Sequence, residues 1–209
     1  MKQLFLCSYF AGVKDLFRQY ASEKQLGNKV LFIPTAGNVE DYRGYIDEAQ
    51  QTFADLGFQV EILDISACDR ETAQAKIFQS KLLYVSGGNT FYLLQELKKK
   101  QLLSLIKEQI ADGMVYVGES AGAIITAKDI DYNKLMDDKG VAAELHDTGA
   151  LNEVDFYVLP HVGEEPFVES AQATLDTYSD QLNLLPLNNR QAVLVEGEEV
   201  KVLEEEDIH

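Results

Sequence analysis

Short apolar runs alternate with longer stretches of helical period along most of this 209-residue chain, and that alternation is its strongest constraint. Such a pattern belongs to βαβ units wound around a mostly parallel sheet, because each strand must be covered on both faces by the helices that follow it. Leu4 to Tyr9, Val30 to Ile33, Phe58 to Ile65, Leu82 to Val85 and Met114 to Val117 read as strands. The spacing predicts helices over Val13–Tyr20, 40–56, Arg70–Gln79, 90–111 (bent or double) and 123–127, with Gly57 and Gly113 as stops. Pro34-Thr35-Ala36-Gly37-Asn38 reads as a loop, and 128–153 as a long polar one of the kind that serves a site. Phe156 to Leu159 is a further strand, 167–178 a helix, and Gln191–Val195 with Val200–Leu203 a terminal hairpin running into an acidic tail. With no repeat, low-complexity linker or shift of composition, the expectation is a single α/β domain over 1–209.

Charge narrows the partners. Lys and Arg total 18 against 35 Asp and Glu, a formal net charge of −17. Such a surface repels phosphate backbones and anionic headgroups, so neither nucleic acid nor membrane is expected as a partner. The opening Met1-Lys2-Gln3-Leu4-Phe5-Leu6-Cys7 is too short an apolar run for a signal peptide, and the expected location is cytoplasmic. Cys7 and Cys68 lack metal or redox spacing and read as reduced packing residues. No cofactor and no metal are expected, and both monomer and homodimer remain open.

Gly118-Glu119-Ser120-Ala121-Gly122 stands between an apolar strand and an apolar helix. A strand that turns abruptly into a helix strains the residue at the corner, and the positions two before and two after must be small. Gly118 and Gly122 meet that demand, which makes Ser120 a candidate nucleophile at the sheet edge where ligands of open α/β sheets bind. The plainer alternative is a serine in an ordinary tight turn. A serine hydroxyl needs a base, and the chain has three histidines. His209 is terminal and His146 lies in the polar stretch, whereas His161 follows a strand and Pro160, so His161 is the candidate base. An orienting acid could come from Asp129, Asp131, Asp137, Asp138, Glu144, Asp147, Glu153 or Asp155. Backbone N–H groups of Ala121 and of Gly87-Gly88 suit an oxyanion. Asn89 offers either a side-chain donor or a helix N-cap.

Taken together, Phe32-Ile33-Pro34-Thr35-Ala36, Val85-Ser86-Gly87-Gly88-Asn89-Thr90, Gly118-Glu119-Ser120-Ala121-Gly122-Ala123 and Leu159-Pro160-His161 resemble the peptidase E (α-aspartyl dipeptidase) family, whose relatives include cyanophycinase. The resemblance implies a class I glutamine amidotransferase-like, flavodoxin-like fold and a serine-type peptidase with a Ser-His-acid triad. It implies Ser120 as nucleophile, His161 as base, and Gly88 and Ala121 as the oxyanion hole. The family's acid lies in the loop after the serine, which points to Asp137 or Asp138, with Asp138 preferred. An older assignment used a glutamate later in the chain, where this sequence reads Leu187-Asn188-Asn189, without a carboxylate. Glu119 replaces a tryptophan of well-studied dipeptidases and is expected to reshape the substrate pocket. The implied substrates are short peptides, in particular dipeptides with N-terminal Asp, and Arg190, Lys128 and Lys139 are candidate cations for the acidic end. The alternatives are a cyanophycinase-like hydrolase of β-linked or longer acidic peptides, and a non-catalytic ligand-binding module.

Overall fold

The computed structural model describes residues 1–205, so the acidic tail beyond Glu205 and His209 lie outside the described residues. The strands in chain order are β1 (Gln3–Cys7), β2 (Lys29–Ile33), β3 (Gln59–Ile62), β4 (Leu82–Val85), β5 (Val115–Glu119), β6 (Tyr157–Leu159), β7 (Leu184–Pro186), β8 (Gln191–Glu196) and β9 (Glu199–Glu204). The helices are α1 (Lys14–Glu23), α2 (Gly44–Asp55), α3 (Arg70–Gln79), α4 (Thr90–Lys99), α5 (Leu103–Ala111), α6 (Ala121–Ile124) and α7 (Val168–Tyr178).

Seven strands form one sheet in the order β3-β2-β4-β5-β1-β8-β9. The first five are mutually parallel, and β8 joins β1 in antiparallel register as the inner strand of the C-terminal hairpin. This is the mostly parallel, helix-flanked α/β sheet that the alternation requires. Strand periodicity sends successive side chains to opposite faces. Phe5, Phe32, Leu82, Tyr84, Val115 and Val117 therefore meet Phe17 of α1 and Phe53 of α2, in an aromatic layer where Phe10 stacks on Phe53 at 4.5 Å. Leu4, Leu6, Leu31, Ile33, Leu83, Val85 and Tyr116 face the other way, onto aliphatic residues of α3, α4, α5 and α6. Burial on both faces explains why these strands read as unbroken apolar runs.

Several boundaries differ from expectation for local reasons. The Pro34 loop winds into a 3₁₀ turn over Thr35–Val39, and Asn38 Nδ2 donates to Asp64 Oδ2 at 2.8 Å, which delays α2 until Gly44. Gly57 closes α2 at φ +85°, as the glycine stop predicts. Gln101, at φ +54°, divides the 90–111 stretch into α4 and α5. β5 runs on through Gly118 and Glu119, and α6 begins at Ala121, immediately after Ser120. The strand leading to His161 is not part of the central sheet. β6 pairs in parallel with β7, a strand the sequence reading lacks, and the two form a small separate sheet. The 128–153 segment carries two 3₁₀ turns and buries Tyr132, whose hydroxyl donates to the Val158 carbonyl of β6. Among the described residues, no helix is long and apolar enough to cross a membrane.

Candidate active site

At the end of β5 the backbone turns so sharply that Ser120 takes φ +46° and ψ −107°, a conformation unfavourable for a residue with a side chain. The surroundings over-determine it. A Cβ at Gly122 would lie 2.1 Å from the Val85 carbonyl oxygen, and one at Gly118 would lie 2.4 Å from that of Gly122, so both positions require glycine. Ser120 N–H donates to the Cys7 carbonyl at 2.9 Å, which pins the corner to β1. Its own carbonyl accepts from Ala123 and Ile124 at 2.9 Å each, which starts α6, and Tyr116 Oη donates to the Gly122 carbonyl at 2.6 Å. Gly87, in the loop after β4, leaves open the space beside Ser120: a Cβ there would lie 3.3 Å from Ser120 Cβ and 3.6 Å from the Tyr45 ring.

His161 arrives from β6. Its backbone is at φ +60°, held by an N–H bond to the buried Ser8 hydroxyl at 3.2 Å, which in turn donates to the Leu187 carbonyl at 3.1 Å. Leu187 N–H donates to Leu159 O at 2.9 Å and Val162 N–H to Leu187 O at 3.0 Å, locking the histidine turn to the segment after β7. The imidazole stacks on Phe167 with centroids 4.6 Å apart. Nε2 lies 3.0 Å from Ser120 Oγ, and Nδ1 lies 2.7 Å from Asn189 Oδ1. With Nδ1–H donated to the amide oxygen, Nε2 is left free to accept the serine proton. Burial pushes the imidazole pKa below its usual 6.5, opposed by the Asn189 bond and the Glu164 charge, so the neutral base is favoured at neutral pH. Asn189 is itself fixed: its N–H donates to Glu164 Oε1 at 3.3 Å, and its carbonyl approaches so close to Gly12 that a Cβ there would sit 2.1 Å away.

The structure brings Ser120 and His161 together and places neither expected acid at the imidazole. Asp138 accepts from Gly140 N–H at 2.7 Å and caps a 3₁₀ turn. Asp137 Oδ2 accepts from Thr90 N–H at 2.7 Å and from Asn133 Nδ2 at 2.8 Å, at the start of α4, and burial raises its carboxyl to about 6. Neither aspartate is hydrogen-bonded to His161. The β6–β7 pairing places the 187–189 segment beside the histidine turn, so the partner of Nδ1 comes from there. Asn89 has both side-chain polar atoms engaged, Oδ1 capping α4 at Tyr92 N–H (3.0 Å) and Nδ2 on the Asp138 carbonyl (2.9 Å). Glu119, expected to reshape the substrate pocket, is turned to the opposite side of the sheet. Alternation along β5 sends its side chain, with those of Val115 and Val117, to the aromatic face, where it is buried.

Gly88 lies in the loop abutting Ser120 at φ +126°, and a Cβ there would meet Ala36 carbonyl carbon at 2.3 Å. Ala121 opens α6, so its N–H precedes any intrahelical acceptor. Of the candidate cations, Lys139 pairs with Asp131 at 3.1 Å, Arg190 Nη2 donates to the Glu205 carbonyl at 2.6 Å, and Lys128 is exposed. Tyr45 Oη and Arg43 Nε lie 3.0 and 3.7 Å from a Cβ position on Gly37, whose own N lies 2.5 Å from a Cβ position on Gly88. His146 is exposed. Among the described residues there is no group of three or more His, Cys, Asp or Glu side chains placed to hold a metal ion. Sequence reasoning missed Ser8, Phe167, Tyr45 and Asn189. For Asn189 the signal was present in the Leu187-Asn188-Asn189 stretch, which was passed over because only a carboxylate was sought.

The sequence pattern of peptidase family S51 matches residues 6–203, which takes in the serine corner, the histidine turn and Asn189. The chain belongs to peptidase family S51. It is 48% identical over 198 residues to an uncharacterized peptidase of Pasteurella multocida, covering 95% of each. A peptidase E of Nostoc sp. is 28% identical over 77% of this chain and 65% of its own length. Among solved structures, a protein of Listeria monocytogenes EGD-e provisionally named peptidase E superposes with a TM-score of 0.93 at 40% identity, covering 99% of this chain and 100% of that one. A peptidase from an acI-B1 Actinobacterium shares the fold, with a TM-score of 0.70 at 19% identity, covering 98% of this chain and 88% of that one. This S51 member is thus a peptidase of the peptidase E kind, with a hydroxyl and an imidazole meeting at the end of its central sheet.

Proposed function

We propose that this peptidase is serine-type and hydrolyses short peptides, dipeptides with N-terminal Asp foremost, through Ser120, His161 and Asn189. The observation that carries the reading is the 3.0 Å contact between Ser120 Oγ, on its strained corner, and His161 Nε2. His161 takes the hydroxyl proton as Oγ attacks the peptide carbonyl, and the negative oxygen is stabilised by the N–H groups of Ala121 and Gly88. The imidazolium then protonates the leaving amine. Water enters, gives a proton to the same imidazole and hydrolyses the acyl-enzyme, which restores Ser120. Asn189 holds the tautomer that this sequence requires, the part an amide also plays in Cys-His-Asn proteases. The relatives named peptidase E support the Asp-dipeptide assignment. Free thiols at Cys7 and Cys68 fit a reducing compartment and support a cytoplasmic location.

The test is a panel of α-Asp dipeptides such as Asp-Leu, β-Asp dipeptides and longer acidic peptides, with Ser120→Ala as control. The α-Asp dipeptides are expected to turn over fastest, and Ser120→Ala to lose roughly 10⁴-fold or more in kcat with an unchanged melting temperature. Turnover that survives Ser120→Ala in a clean preparation contradicts the mechanism. Preference for β-linked or longer peptides contradicts the substrate assignment alone.

A further inference from the structure

The reaction described above leaves Glu119 without a task, although it directly precedes the nucleophile. Its side chain is 2% exposed, and a carboxylate taken out of water is costly unless donors replace the lost solvent. Three donors do so. Phe10 N–H reaches Oε1 at 2.7 Å, Gly87 N–H reaches Oε2 at 3.4 Å, and the Tyr84 hydroxyl donates to Oε2. They come from three segments: the turn after β1, the loop after β4, and β4 itself. Two of these border the site. Gly87 precedes the proposed oxyanion donor Gly88 and abuts Ser120, while Phe10 follows Ser8, whose hydroxyl receives the His161 N–H.

We infer that Glu119 is a positioning residue, whose ionised carboxylate ties the Gly87-Gly88 loop and the Ser8–Phe10 turn to the strand that presents Ser120. This inference rests on the reading of Ser120 as nucleophile. The geometry requires an acceptor on both oxygens. A glutamine of the same shape turns an NH₂ group toward Phe10 N–H in one orientation and toward Gly87 N–H in the other. On a protonated carboxyl the hydrogen can be taken up only by the Tyr84 hydroxyl, which then no longer donates to Oε2, so the hold weakens when Glu119 takes up a proton.

Burial raises the Glu119 carboxyl to about 7, against the pull of its three donors and with a further push from the Glu48 charge on α2. The other titratable groups coupled to it are Cys7 on β1, Tyr9 after β1, Tyr84 on β4 and Tyr45 on α2, each driven upward in part by the Glu119 charge. Burial pushes the His161 imidazole down from its usual 6.5. Protonation of either group lies on the acid side of the expected activity profile.

The experiment is the rate at which a fluorophosphonate modifies Ser120 in the full chain, measured from pH about 5 to about 9 for wild type, Glu119→Gln and Tyr84→Phe. For wild type the rate is expected to fall toward acid through two ionisations. Glu119→Gln is expected to be slower at neutral pH, on the order of tenfold or more, and to show a single acid-side ionisation. Tyr84→Phe removes a donor that favours the charged carboxylate, so the upper ionisation is expected to move to higher pH. If Glu119→Gln fails to fold, the Tyr84→Phe shift decides. Wild-type profiles in both variants, with Ser120 labelled, overturn the role of Glu119 alone. An unlabelled wild-type Ser120 overturns the nucleophile reading and this inference with it.

Discussion

Ser120 is held by the central sheet: its N–H is bonded to β1, its flanking glycines pack against β4 and α6, and its strained angles persist because these elements are part of the core. His161 is held from outside that sheet, by a three-residue strand paired with another three-residue strand, a serine from the β1 turn and the face of Phe167. The first arrangement is embedded in the elements that stabilise the molecule, and the second is a peripheral clamp aimed at the same point. A change that displaces the corner's backbone should therefore reach stability as well as chemistry, whereas damage to the clamp should reach chemistry alone.

The largest expected effect tests the clamp. His161→Ala should lower turnover of a competent dipeptide roughly 10⁴-fold or more, matching the loss in Ser120→Ala, because residues that act as a unit do not add. The double variant should be no slower than either single one, and a further loss contradicts a shared step. Next comes the corner: Gly122→Ala places a methyl 2.1 Å from the Val85 carbonyl oxygen. It should cost about 1–3 kcal/mol or more in chemical denaturation, the range for overpacking a core. Denaturation indistinguishable from wild type would remove the distinction between the two regions.

The smallest expected effect sharpens the role of Asn189. Asn189→Ala should lower kcat on the order of 10²-fold, the scale expected when a reacting group loses its alignment, with an unchanged melting curve. Asn189→Asp keeps the acceptor and adds a negative charge beside the imidazole. It should raise the His161 pKa and move the acid limb of the rate profile to higher pH. An unmoved limb would mean that Asn189 is not the partner of Nδ1 during catalysis.

The same contrast governs what was legible in the sequence. α3 and β4 lie at their expected bounds, because Asp69 caps the helix and Leu82 to Val85 form a run buried on both faces. The corner at Ser120 was legible because a tight strand-to-helix turn imposes local demands, glycines two before and two after, that a sequence can display. His161 was legible by elimination among three histidines. Its partner was not, since no local rule ties Asn189 to His161 across 28 residues, and β7, which joins them, is a Leu-Leu-Pro tripeptide with too little pattern to read as a strand. Glu119 could have been placed by counting: it shares the parity of Val115 and Val117, which fixes its face before any coordinate is known.

The most direct measurement of the central claim is the position of a covalent fluorophosphonate adduct, found by peptide mass mapping of the full chain. The account predicts one adduct, on Ser120, formed rapidly in the wild type and lost in His161→Ala. An unmodified Ser120, or modification that proceeds as fast without the histidine, would contradict it.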